Sequence, residues 1–123
     1  MKIKISIYSL IIIGLFMLLT VSCKKETISD PKNLAGTTWK FSESNDGVNL
    51  VETIKFTSSN ILTSNAVYTG TSNITLSHPG NYTYNHPNIE IIINNVTYSG
   101  TINGASMCLL STVGDVKVYI KQQ

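Results

Sequence analysis

"VGDVKVYIK", residues 113–121, is the stretch on which the fold turns. Val116, Val118 and Ile120 alternate with Lys117, Tyr119 and Lys121, the two-residue period of a strand with one buried and one wet face. The alternation predicts that the valines and Ile120 point inward. Gly114-Asp115 ahead of it reads as a two-residue hairpin turn, with glycine supplying the positive φ at the first position.

The same grammar runs upstream. In "IEIIINNVTYSGTINGASMCLLS", residues 89–111, Asn94-Asn95 and Asn103-Gly104 suit the left-handed conformations of type I′ turns. The strands between them are Ile89–Ile93, Val96–Ile102 and Ala105–Ser111. Asp46-Gly47 divides "TTWKFSES" from "VNLVETIKFTS", Ser58–Asn60 precedes "ILTSNAVYTG", and Pro79-Gly80 and His86-Pro87-Asn88 bracket "NYTYN". No window holds a helical period. About eight strands with short connections predict an all-β antiparallel meander over residues 34–123. An open meander would expose two edges, and closure into a small β-barrel removes both. A two-sheet β-sandwich is the competing solution, but it needs longer crossing connections.

The beginning of the chain has a different character. Lys2 and Lys4 precede an apolar core, Leu10–Leu19, and Ser22 stands before Cys23. The apolar run is shorter than the ~20 residues a membrane span needs and has the flanks of a cleavable signal. "LTVSC", residues 19–23, resembles the lipobox of bacterial lipoproteins. That resemblance implies a signal peptide over residues 1–22 and acyl chains on Cys23 that anchor the protein to a membrane. Residues 23–33, polar and containing Asp30-Pro31, form the linker. Surface-directed lipoproteins carry an acidic run after the cysteine, whereas "CKKE" has one acid. The expected location is therefore the outer membrane, facing the periplasm, with the cell surface as the alternative.

"LAGTTWKF", residues 34–41, opens the first strand with Leu34, Gly36 and Trp39. Together with a tyrosine-bearing middle and a tail of alternating valines ending in lysine, it is similar to the small lipocalin-like (calycin-type) lipoproteins of Gram-negative bacteria. The resemblance implies a lipocalin-like barrel whose tryptophan closes the floor, and a binding rather than a catalytic role.

Composition narrows function further. From Cys23 onward seven lysines meet seven acids, so the net positive charge of the whole chain comes from Lys2 and Lys4. The lysines are scattered along the sequence and arginine is absent, which leaves no basic footprint for nucleic acid. Cys108, among apolar neighbours in "ASMCLLS", reads as a small buried hydrophobe. His78 and His86 each precede a proline and read as solvated turn residues, too far apart to share a metal. Glu43, Asp46, Glu52, Glu90 and Asp115 form no paired-carboxylate signature, and Glu90 faces water between Ile89 and Ile91. No catalytic residue, metal site or cofactor follows from these patterns, and an enzyme is not expected.

Candidate ligand-binding residues are Trp39, Tyr82, Tyr84 and Tyr98. Trp39 serves either as the largest core filler or as a ligand platform. Tyr82 and Tyr84 share a strand face that is either core or a stacking surface. The sequence thus supports two readings: a membrane-anchored module holding a small apolar ligand, or a filled barrel whose loops dock a protein partner or act as an inhibitor.

Intact-mass measurement on membrane-extracted protein should give a chain beginning at Cys23 with acyl chains attached. A lipid-free mass for residues 1–123 would contradict this. Cys23→Ser should release the protein from the membrane or block its processing.

Overall fold

Side chains of a strand alternate between faces, so each turn fixes which residues of the next strand share the interior. The computed structural model describes residues 32–123; the expected signal peptide (1–22), the expected lipidation at Cys23 and all but the last two residues of the expected linker lie outside them. Eight strands follow in order: β1 (Thr38–Asn45), β2 (Val48–Phe56), β3 (Ile61–Thr69), β4 (Ile74–Asn85), β5 (Asn88–Ile93), β6 (Val96–Asn103), β7 (Ser106–Ser111) and β8 (Val116–Lys121). Each pairs antiparallel with the next, and β8 returns to β1 to close a barrel. Closure rests on Trp39 paired with Lys121 and Lys40 with Ile120. The sandwich alternative is excluded.

The turns explain the registers. Asp46-Gly47 (φ 50° and 78°) and Asn94-Asn95 (φ 52° and 63°) carry the two positive φ angles of type I′ turns. The third hairpin differs from the sequence expectation. Asn103 pairs with Ser106, so the central residues are Gly104 and Ala105 rather than Asn103-Gly104. Gly104 alone has positive φ (60°), which is the pattern of a type II′ turn.

The turn before β8 corrects the reading of "VGDVKVYIK". Ser111 N donates to Asp115 O, and Leu110 pairs with Val116, so Thr112-Val113-Gly114 form a three-residue loop with Gly114 last (φ 96°). A two-residue turn at Gly114-Asp115 would have paired Val113 with Val116. The actual register differs by an odd number of positions, and that inverts every side chain of β8. Tyr119 is buried and Lys117 half-buried, while Val116 is 62% exposed and Val118 and Ile120 48% each. Cys108 pairs with Val118 on the outer wall and is exposed, not buried as its apolar neighbours suggested.

Pro79-Gly80 also departs from expectation, because it lies inside β4 instead of preceding a separate strand. Tyr82 N donates to Asn60 O on the β3 side, so by alternation the nitrogen of Pro79 faces the β5 side. The β4–β5 ladder begins only at Gly80 and Ile93, so the missing donor of Pro79 falls on an open edge. Gly80 is buried where a Cβ would come within 2.7 Å of Ile92 O and 2.9 Å of Leu62 Cδ1.

One barrel end is closed. Leu34, Trp39, Phe56, Leu62, Tyr82, Ile102 and Met107 pack together there, each almost fully buried. The Trp39 indole donates to Thr37 Oγ1 (2.9 Å), and the Thr37 hydroxyl donates to Leu34 O (2.6 Å). Phe56 and Tyr82 meet edge to face at 4.6 Å. Trp39 is 0% exposed, so Trp39→Ala should destabilise the domain by roughly 3–5 kcal/mol in denaturant unfolding.

Candidate functional site

Strand lengths make the two ends unequal. β1–β4 run 8 to 12 residues, whereas β5, β7 and β8 have 6 each. At the end opposite Trp39 the longer strands project past the β5–β6 turn, and the interior opens into a cavity of about 210 Å³. Ile54, Ile91 and Leu109 form its apolar floor. Tyr68, Tyr98 and Tyr119 line the walls with Ser64, His78 and Asn94, and Ala66, Leu76, Ile93 and Val96 supply aliphatic surface near the rim.

Glu52 is the one charged residue among the lining side chains, with 14% of its side chain exposed. It follows the inward parity of Ile54 and Phe56 along β2. Lys117 Nζ contacts Oε1 at 2.6 Å, and the Tyr119 hydroxyl donates to Oε2 at 2.6 Å. Lys117 Nζ also stands 5.4 Å from the Phe41 ring centroid, and Phe41 packs on Tyr119 at 5.7 Å. Such a carboxylate is tolerated because both oxygens find charge-assisted partners. The inverted β8 supplies both. Burial first, then the hydrogen bond and negative charge of Glu52, hold the Tyr119 phenol well above the ordinary tyrosine pKa. Burial also raises Tyr82.

The four aromatic residues singled out in the sequence do not converge. Tyr98 lines the cavity. Trp39 and Tyr82 belong to the closed half, where the Tyr82 hydroxyl donates to Ser58 O. Tyr84 packs against the core and meets His86 Nδ1 through its hydroxyl at 2.9 Å, near a shallow groove bounded by Asn88, Glu90 and Ser99. His78 is half-buried in the cavity wall on β4, not a solvated turn residue, whereas His86 is exposed in the β4–β5 connection. His78 and His86 are eight residue steps apart, nearly all along extended β4, a span of roughly 25 Å. Glu90 is exposed as its flanking isoleucines implied.

Sequence reasoning weighed Glu52 as an unpaired carboxylate and His78 as a turn residue and gave neither a place in a site, and it put neither Tyr68 nor Tyr119 among the binding candidates. For Glu52 a signal existed: in "VETIKF" it shares parity with Ile54 and Phe56, which places an acid on a core face. Tyr119 and Lys117 became interior only through a loop length that alternation does not reveal. No protein-family model, curated protein or solved structure matches this chain.

Tyr119 should stay un-ionised when the pH passes the ordinary tyrosine value of about 10, while its unfolded form ionises there. The stability it contributes is therefore complete below about pH 10 and falls as the pH rises past it. Phenolate absorbance should show tyrosines titrating only with unfolding, and Tyr119→Phe should remove one of them at a cost of about 1–2 kcal/mol.

Proposed function

We propose that this chain is a non-enzymatic, lipid-anchored module of the cell envelope, a lipocalin-like barrel that holds a small amphipathic ligand at its open end. The observation that carries the reading is the half-filled interior. Below Ile54, Ile91 and Leu109 large side chains pack together, each almost fully buried, and above them lies the 210 Å³ cavity. That volume is below the ~300–1,000 Å³ of drug-sized pockets, which suits a small molecule. An apolar tail would rest on the aliphatic floor, with a polar head among Tyr68, Tyr98, Ser64 and His78. Acylation at Cys23 would keep the barrel at the outer membrane on the periplasmic side, as the signal and linker imply. The opening "LAGTTWKF" and the buried Trp39 support the lipocalin-like reading.

A second reading, a module that docks a protein partner, is favoured by the outer wall of β7 and β8. There Leu110, Val116, Val118 and Ile120 are about half exposed or more. Such a cluster is a common feature of association surfaces.

A medium-chain alcohol titrated into isotope-labelled protein should shift the methyl signals of Ile54, Ile91 and Leu109 and leave Leu62 and Met107 in place. Ala66→Phe, which fills the mouth, should abolish those shifts with the fold intact. Methyl signals that never move, for a series of alcohols and fatty acids, would leave only the docking reading.

A further inference from the structure

The fold sorts charges that the sequence scatters. Lys117 is matched internally by Glu52. The other described lysines are Lys32, Lys40, Lys55 and Lys121. Lys32 precedes Leu34, which plugs the closed end, and Lys40 lies two residues beyond Thr38, the first residue of β1. Lys55 pairs with Thr38, and Lys121 pairs with Trp39. All four therefore gather at the closed end. Lys32, Lys40 and Lys55 are exposed and Lys121 half-buried.

The acids go the other way. Glu43 lies near the far end of β1, Asp46 in the β1–β2 turn and Asp115 in the loop before β8, all at the cavity mouth. Glu90, on the outer side of β5, is the exception. The seven-residue rise of β1 separates the two ends by about 24 Å. This exceeds the Debye length of about 8 Å at physiological salt, so a surface at the closed end hardly senses Asp46 and Asp115, while Glu43, three residues or about 10 Å along β1 from Lys40, is screened only in part.

We propose that the closed, lysine-bearing end docks on an anionic lipid surface and turns the cavity mouth away from it. Charge complementarity favours a bilayer bearing acidic headgroups, because scattered ammonium groups on a curved end suit a diffuse negative surface. The tether points the same way. The chain enters the barrel at this end, and Asn33 is only ten residue steps from Cys23, a reach of at most about 36 Å. The inference goes beyond the ligand-binding reading. It draws on the membrane-anchor reading only to bring the domain to the surface.

The test uses the full chain reconstituted into phosphatidylcholine vesicles with and without phosphatidylglycerol. Lysine acylation rates are then read residue by residue by mass spectrometry. Lys32, Lys40, Lys55 and Lys121 should react several-fold more slowly on the anionic vesicles, and high salt should erase the difference. Lys117, held by Glu52 at the other end, should react alike on both. The reversal Lys40→Glu with Lys55→Glu should remove the protection of Lys32 and Lys121, whereas Glu43→Lys at the mouth should preserve it, with melting temperatures checking that both variants fold. Equal rates on both vesicles, or slowing that survives high salt, would overturn the proposal. The intact mass of the same sample shows separately whether Cys23 carries acyl chains, so failure of docking and failure of anchoring are distinguishable.

Discussion

Closure of β8 onto β1, through Trp39 with Lys121 and Lys40 with Ile120, is the contact on which the other features depend. It joins residues about eighty positions apart, and no local preference forces it. Once made, it places β8 on the other side of β1 from β2 and brings Lys117 and Tyr119 to Glu52 inside the barrel. It also seals the floor, since Trp39 lies at the junction with Leu34 and Thr37 beneath it. An open meander would have left the two terminal strands unpaired, with their amides offered to other chains.

Unequal strand lengths then divide the interior. At the closed end large side chains meet from all sides of the barrel, and an eight-stranded barrel is just narrow enough for them to fill it. Toward the mouth the inward residues of β3 become small, with Ser64 and Ala66, and β5 gives way to the turn at Asn94-Asn95. Fewer and smaller side chains cannot fill the same cross-section. The cavity is the consequence, and the Glu52 cluster forms part of its wall.

The inverted β8 links the interior to the exterior. By placing Lys117 and Tyr119 inside, it satisfies both oxygens of Glu52, which would otherwise be a costly buried charge. The same inversion puts Val116, Val118 and Ile120 on the outer wall beside Leu110 and Cys108. Polar partners inside and an apolar strip outside thus have a single origin in the loop Thr112-Val113-Gly114.

Much of the architecture was legible because β-structure writes itself locally. Asp46-Gly47 and Asn94-Asn95 tolerate positive φ, so they mark turns wherever the chain goes, and the alternation between them marks strands. Strand number, order and closure followed from those marks and from the edge penalty. Of the two readings the sequence offered for Trp39, the core filler is the one the barrel adopts. What the tertiary structure alone decided depended on parity across a loop. A three-residue loop in place of two turned β8 inside out, and a proline whose missing donor meets no partner let β4 run on through Pro79. The candidate site was the least legible part. Its residues come from β2, β3, β4, β5, β6, β7 and β8, and their convergence is set by closure, a long-range event that sequence spacing does not encode. The gathering of Lys32, Lys40, Lys55 and Lys121 at one end has the same cause. Alternation records which face a residue takes, and only the closed barrel determines which residues share an end.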